Sequence, residues 1–163
     1  MISIQNVNKY YTQGFLAKKF QVLFDLSLKI EKGEIFGYLG HNGAGKTTTI
    51  KILLNLLKPD SGTVLINNIP SREIKSRSII GFLPDHPYFY DYLTAYEFLD
   101  FSAKLFNIRS KERVDGLLGL VGLKKFANYQ LRKFSRGMLH RLGFAQALIN
   151  DPQLLILDEP MSG

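Results

Sequence analysis

The sequence predicts an α/β protein whose short strands are interrupted by a helical block from about residue 85 to 138 before the chain returns to the sheet. Three observations carry this expectation. Phe24, Leu26, Leu28 and Ile30 alternate with Asp25, Ser27 and Lys29, the period of two of a half-buried strand. The runs "EIFGYL" and "LLIL" are continuously apolar, as strands covered on both faces are. Between them, from Pro84, the texture changes to amphipathic stretches at helical spacing.

Taken in order, Lys32-Gly33 closes the alternating strand with a turn, and "EIFGYL" (34–39) follows as a buried strand. Ile50, Leu53, Leu54 and Leu57 then recur at helical spacing, and "KPDSG" ends that helix with a proline and a turn. "TVLI" and "SIIGFL" are two more short strands. "PDHPYFYDYL" is a proline- and aromatic-rich loop. Thr94 opens a helix with Glu97 three residues on, a capping-box pattern. Phe98, Phe101, Leu105 and Phe106 give that helix one apolar face. Its aromatic approach, with Tyr88, Phe89, Tyr90, Tyr92, Tyr96 and Phe98, is expected to supply part of a docking surface. Further helices are predicted from Lys111 to Val121 and from Gly137 to Leu148, the latter stopped by Asp151-Pro152. The last element, "LLIL", ends in Asp158-Glu159. There is no internal repeat and no low-complexity segment.

The 163 residues, 45% of them hydrophobic, suffice for a packed core and exclude a disordered chain. No apolar run approaches the ~20 residues that span a bilayer, and "MISIQNVNKYY" lacks the basic start and apolar stretch of a signal peptide. Without cysteine there are no disulfides or thiolate metal sites, which fits a cytoplasmic protein. The formal charge is +7, but the basic residues are dispersed rather than blocked, so no direct nucleic-acid partner is expected.

The chemistry concentrates in "GHNGAGKTTT" (Gly40 to Thr49). Gly40, Gly45, Lys46 and Thr47 occupy the fixed points of G-x-x-x-x-G-K-[ST]. Glycines let successive N–H groups converge on one anion, and the following helix adds the positive end of its dipole. Lys46 would reach the β- and γ-phosphates of a nucleotide and Thr47 would offer its hydroxyl to Mg²⁺. The run lies between a predicted strand and a predicted helix, the context such a loop requires. "LLILDEP" supplies the second half: Asp158 would hold Mg²⁺ through water, and Glu159 would take a proton from an attacking water.

Together with "FSRGM" (Phe134 to Met138), standing where an LSGGQ signature would, and "LHRLGFAQALINDPQLLILDEP" after it, these motifs resemble the nucleotide-binding domain of ATP-binding cassette transporters, most like the export branch. The resemblance extends from residue 1 to 163. It implies a P-loop NTPase (RecA-like) core with a helical insert: 1–84 as ATP-binding core, 85–138 as signature subdomain, and 139–163 as the return to the core. It implies ATP and Mg²⁺ as ligands, with Asn42, Gly43 and Thr48 joining Gly45, Lys46 and Thr47 around the phosphates. In "NKYY" it places an adenine-stacking aromatic at Tyr11, with Tyr10 the alternative. Asp85 stands where the family has a glutamine that links γ-phosphate and Mg²⁺ to the helical part.

Ser135 and Gly137 match the signature positions that act in trans on a second nucleotide-binding domain, in a homo- or heterodimer. Arg136, where the family has glycine, either helps to hold phosphate or is solvated. Transmembrane permease subunits are the further partners implied, with the domain peripheral at the inner face of the cell membrane. Family members continue past "EPMSG" into an aspartate-bearing loop and a strand with a switch histidine. His41, His86 and His140 all precede that place, so the resemblance implies a core incomplete at its C-terminus and leaves ATPase turnover open. The alternatives to an ATP-binding subunit of a transporter are a soluble cassette ATPase acting on DNA or ribosomes, or a fragment that only binds.

Overall fold

The computed structural model describes residues 1–13 and 18–160. The chain forms two compact units, residues 1–77 and 78–163.

The first unit is built on a four-stranded antiparallel sheet in the order β2-β1-β3-β4, with β1 Ile2–Gln13, β2 Lys18–Ile30, β3 Ser61–Ile66 and β4 Ile69–Pro70. β1 was not legible as a strand because its apolar residues Ile2, Ile4 and Val7 break the period of two. The cause is a bulge: the β1–β2 register shifts between Ile4 and Val7, where Asn6 has φ +50 and its amide donates to Asp25 Oδ1 at 2.9 Å. All three side chains are thereby buried on one face with Leu23, Val64 and Ile66. Asn67 and Asn68, both at positive φ, make the two-residue turn from β3 to β4, a conformation asparagine tolerates. α1 (Lys46–Leu53) and the short α2 (Ile74–Arg77) complete the unit.

Two expectations are corrected in this unit. The run 34–39 forms no strand: it pairs with no strand among the described residues, and Ile35 and Leu39 are fully exposed at 101% and 91%. Continuous apolar character reports a preference for burial. It cannot supply the neighbouring strands that a covered parallel strand needs on both edges. The helix after the glycine-rich loop also stops before Leu57. Asn55 turns left-handed at φ +54, and the amides of Leu56 and Leu57 both close back on the Lys51 carbonyl, at 2.8 and 3.1 Å.

The second unit holds a parallel pair, β5 Ile80–Leu83 and β6 Leu154–Leu157, in the register Ile80↔Leu154 to Leu83↔Leu157. Its helices are α3 Ala95–Leu105, α4 Lys111–Leu120 and α5 Arg136–Ala147, with single 3₁₀ turns at Lys124–Phe126 and Leu131–Lys133. They enclose a core in which Phe98, Leu99, Val114, Leu118, Leu131 and Leu142 are almost wholly buried. Thr94 caps α3 by the capping box expected of it: its hydroxyl accepts from Glu97 N–H while Glu97 accepts from Thr94 N–H. α5 lies hard against β5. A Cβ on Gly81 would stand 2.0 Å from the Ala147 carbonyl oxygen, so only glycine fits there.

The apolar face of α3 differs from the one expected. Phe98 is buried, but Phe101, Leu105 and Phe106 are exposed, and the buried positions are Ala95, Phe98, Leu99, Ser102 and Ala103. Small residues face the neighbouring helices because they allow close approach, leaving the large rings outside. The aromatic approach divides likewise: Phe89 and Phe98 are core, while Tyr88, Tyr90 and Tyr92 are exposed.

Candidate functional site

The candidate site residues fall into two groups, one on each unit. In the first unit they gather where 40–45 turns into α1. Gly43 and Gly45 sit at φ +85 and +86, the left-handed region in which a side chain is strained. Gly45 is also pinned from below: a Cβ on it would meet Leu23 Cδ2 at 2.6 Å and the Val22 carbonyl at 3.3 Å. The loop thus rests directly on β2. The Ala44 N–H closes on the His41 carbonyl at 3.1 Å, and the Thr49 N–H and hydroxyl both bond the Gly45 carbonyl, at 2.8 and 3.0 Å.

The Lys46 ammonium donates to the carbonyls of Gly40 at 2.6 Å and His41 at 3.2 Å. It therefore lies across the loop, a cation beside the N-terminus of α1. Asn42 and Gly43 form the exposed rim, and Thr47 is exposed in the first turn of α1. Thr48 reaches back to the sheet, its hydroxyl 3.4 Å from that of Tyr11. Tyr10 and Tyr11 point to opposite faces of β1, and Tyr11 is the one that meets α1.

One member of this group escaped the sequence. The β1–β2 register sets Phe20 opposite Tyr11, and the two rings stack at 5.9 Å and 24°. Nothing in the local pattern ties Phe20 to the glycine-rich loop, because only the cross-strand pairing brings it there. Leu23, the support under Gly45, lies just before the alternating run from Phe24 to Ile30 and carries no sequence signal of its own.

In the second unit the parallel pairing decides the geometry. β5 and β6 end level, at Leu83 and Leu157, so Asp85, Asp158 and Glu159 all emerge at the carboxyl end of the pair, where open α/β sheets place their ligands. The Asp158 N–H bonds the Leu83 carbonyl at 2.9 Å, and its side chain is buried. Asp85 Oδ1 lies 3.4 Å from His86 Nδ1. Glu159 is exposed and stands at φ +51.

Ser135 is the N-cap of α5. Its oxygen accepts from the Met138 N–H at 3.3 Å, which leaves its own proton to donate outward. Arg136 and Gly137 follow on an exposed first turn, and nothing lies within 4 Å of the place a Gly137 side chain would occupy. Among the described residues no three His, Asp or Glu side chains gather as a metal site. The Thr47 hydroxyl, on the first unit, and the Asp158 carboxylate, on the second, are each hard oxygen ligands of the kind Mg²⁺ takes.

Residues 23–162 match the family described as ABC transporter. An uncharacterized ABC transporter ATP-binding protein of Synechocystis sp. is 47% identical, the alignment covering 100% of this chain and 48% of the relative. The bacitracin transport ATP-binding protein BcrA of Bacillus licheniformis is 45% identical over 85% of this chain and 46% of its own length. Among solved structures, a dimeric ATP-binding cassette in a post-hydrolysis state with ADP and Pi superposes with a TM-score of 0.88 at 30% identity, covering 99% of this chain and 75% of that one. The chain spans about half the length of the curated relatives it matches.

Proposed function

The chain belongs to the ABC transporter family, with the P-loop NTPase fold of its ATPase cassettes, and on that premise we propose that it is the ATP-binding part of a transporter subunit that couples ATP binding and hydrolysis to movement of a permease. The observation that carries this is the formed cradle: two left-handed glycines, a loop seated on β2, and Lys46 held across it by two loop carbonyls. Phosphate oxygens replace those carbonyls as acceptors for Lys46, while the loop amides and the start of α1 turn toward the anion. Tyr11, braced on one face by Phe20, offers its other face to the adenine.

Thr47 and Asp158 would hold Mg²⁺, which when bound offsets the charge of the phosphates. Glu159 takes the proton of the attacking water, and Asp85 carries the state of the γ-phosphate to the helical part. Ser135, with its proton free to donate, serves the nucleotide of a second nucleotide-binding domain. Residues 1–84 in this reading form the ATP-binding core, 85–138 the signature subdomain, and 139–163 the return to the core.

No helix among the described residues is long and apolar enough to cross a membrane. Transmembrane permease subunits are the partners in this reading, with the domain peripheral at the inner face of the cell membrane. Their proposed seat is the exposed ring group of Tyr88, Tyr90, Tyr92 and Phe101, whose neighbouring centroids lie 5.9–6.0 Å apart. It borders a cavity of about 350 Å³ lined in part by Pro84, Pro87, Tyr88 and Phe106.

The test is a titration with MgATP. Lys46→Ala is expected to weaken binding at least tenfold, about 1.4 kcal/mol. Superimposable curves for the two proteins would remove the cradle as the nucleotide site.

A further inference from the structure

α4 and α5 are locked together by a reciprocal pair of arginines. Arg113, in the first turn of α4, donates from Nε to the Ile149 carbonyl at 3.2 Å and from Nη2 to the Leu148 carbonyl, at the C-terminus of α5. The same Nη2 lies 3.6 Å from Asp151 Oδ1. Arg141, midway along α5, donates from Nη1 to the carbonyl of Val121, the C-cap of α4, at 3.1 Å. Each helix thus supplies the cation that satisfies the other's orphan carbonyls, where the dipole favours positive charge. Apolar packing between the helices tolerates sliding from one groove to the next. These bonds do not, because a slip of one turn, about 5.4 Å, breaks all three at once.

We propose that Arg113 and Arg141 are positioning residues that set how far the N-terminus of α5 projects, and so where Ser135 stands when it is presented to a second domain's nucleotide. The proposal rests on the reading of Ser135 as a contact made in trans. Neither arginine touches the nucleotide. The two are unequal: Arg141 makes one bond, which a lysine can reproduce, whereas Arg113 makes two to successive carbonyls and holds an aspartate, which a lysine cannot.

The experiment uses the full chain in a Glu159→Gln background and has two readouts. The first is independent of nucleotide: the sequence has no cysteine, so spin labels on cysteines introduced at Gly119 and Leu139 report the register of α4 against α5. The parent is expected to give one narrow distance. Arg113→Met and Arg141→Met are expected to broaden it or to add a second distance displaced by about 5 Å, one helical turn. The second readout is ATP-driven dimerisation by sedimentation, beside ATP affinity measured with a fluorescent analogue. Both Met variants are expected to weaken dimerisation at least tenfold with ATP affinity unchanged. Arg141→Lys is expected to restore it and Arg113→Lys to restore it only in part.

Val114→Ala, a cavity in the same core, controls for lost stability. An unaltered label distance in Arg113→Met/Arg141→Met overturns the proposal. So does dimerisation that follows melting temperature alone, with Val114→Ala as damaging as the arginine variants. A parent that binds ATP without dimerising overturns the in-trans reading instead, while the label distances still decide the register.

Discussion

Replacing Gly45 by alanine tests the cradle at the point where strain and packing coincide. At φ +86 an alanine is strained by about 1–2 kcal/mol. Its methyl group would also stand 2.6 Å from Leu23 Cδ2 and 3.3 Å from the Val22 carbonyl, and Leu23 is itself buried, so either that side chain turns within a packed face or the loop moves. Overpacking of this kind costs a further ~1–3 kcal/mol. Gly43 supplies the internal control: it has nearly the same φ, +85, with nothing within 4 Å of a Cβ, so Gly43→Ala carries the strain alone.

If the loop yields while the sheet holds, these energies appear as lost nucleotide affinity, roughly tenfold for Gly43→Ala and about a hundredfold or more for Gly45→Ala. Calorimetric MgATP titration with melting curves of each variant separates affinity from stability. Leu23→Ala in the Gly45→Ala background should recover part of the excess, a coupling that a double-mutant cycle reads directly. Equal losses for the two glycines, or no recovery on trimming Leu23, would refute the claim that the loop is seated on β2.

Glu159→Gln should retain ATP binding and lose turnover, since the phosphate contacts do not involve the base; undiminished phosphate release would exclude Glu159 from that role. Glu159→Asn should lose turnover too but melt higher, because asparagine accepts φ +51; about 1 kcal/mol is at stake, a few degrees in a chain of this size. Gly81→Ala should destabilise the second unit by about 3 kcal/mol or more in urea unfolding, since the methyl would occupy the space of the Ala147 carbonyl. Thr94→Ala should cost about 1 kcal/mol through loss of the α3 cap. Its partner Glu97 is held below the usual glutamate range first by the Thr94 backbone N–H and then by the Thr94 hydroxyl. That contribution is in place above about pH 4.3 and is lost as the pH falls through the lowered value in the fold, so urea midpoints of wild type and Glu97→Gln should converge in acid.

Where a segment's pattern and its partners lie close together in the chain, the sequence was enough. The capping box of Thr94 and Glu97, the left-handed glycine turn before α1 and the place of the carboxylates at the end of β6 each follow from a few neighbouring residues. What needed distant partners was missed. The bulge at Asn6 hid β1, because the extra residue breaks the alternation that betrays a strand. Phe20 joins Tyr11 only through the β1–β2 register. The large apolar residues of α3 misdirected the choice of its buried face, because size signals hydrophobicity and not the close helix contact that Ala95, Ser102 and Ala103 permit. The run 34–39 has the composition of a covered strand, yet among the described residues no strand lies beside it, and composition cannot tell the two situations apart.

The left-handed positions make the same division physically. Asn6, Asp25, Asn55, Asn67, Asn68, Asn107 and Asp151 all have positive φ, and all are of the two residue types whose short polar side chains tolerate it. They mark bulges, helix ends and turns, where the backbone chooses the residue. Gly43 and Gly45 mark the cradle, where the amides must converge and no side chain fits the second. Glu159 is the exception among the described non-glycine residues: its side chain is longer than those of the two types that tolerate this conformation. At that position the backbone did not choose the residue. Asparagine or aspartate stands at seven such sites and glutamate at the eighth, which fits the proposed role of its carboxylate at the end of β6 beside Asp158.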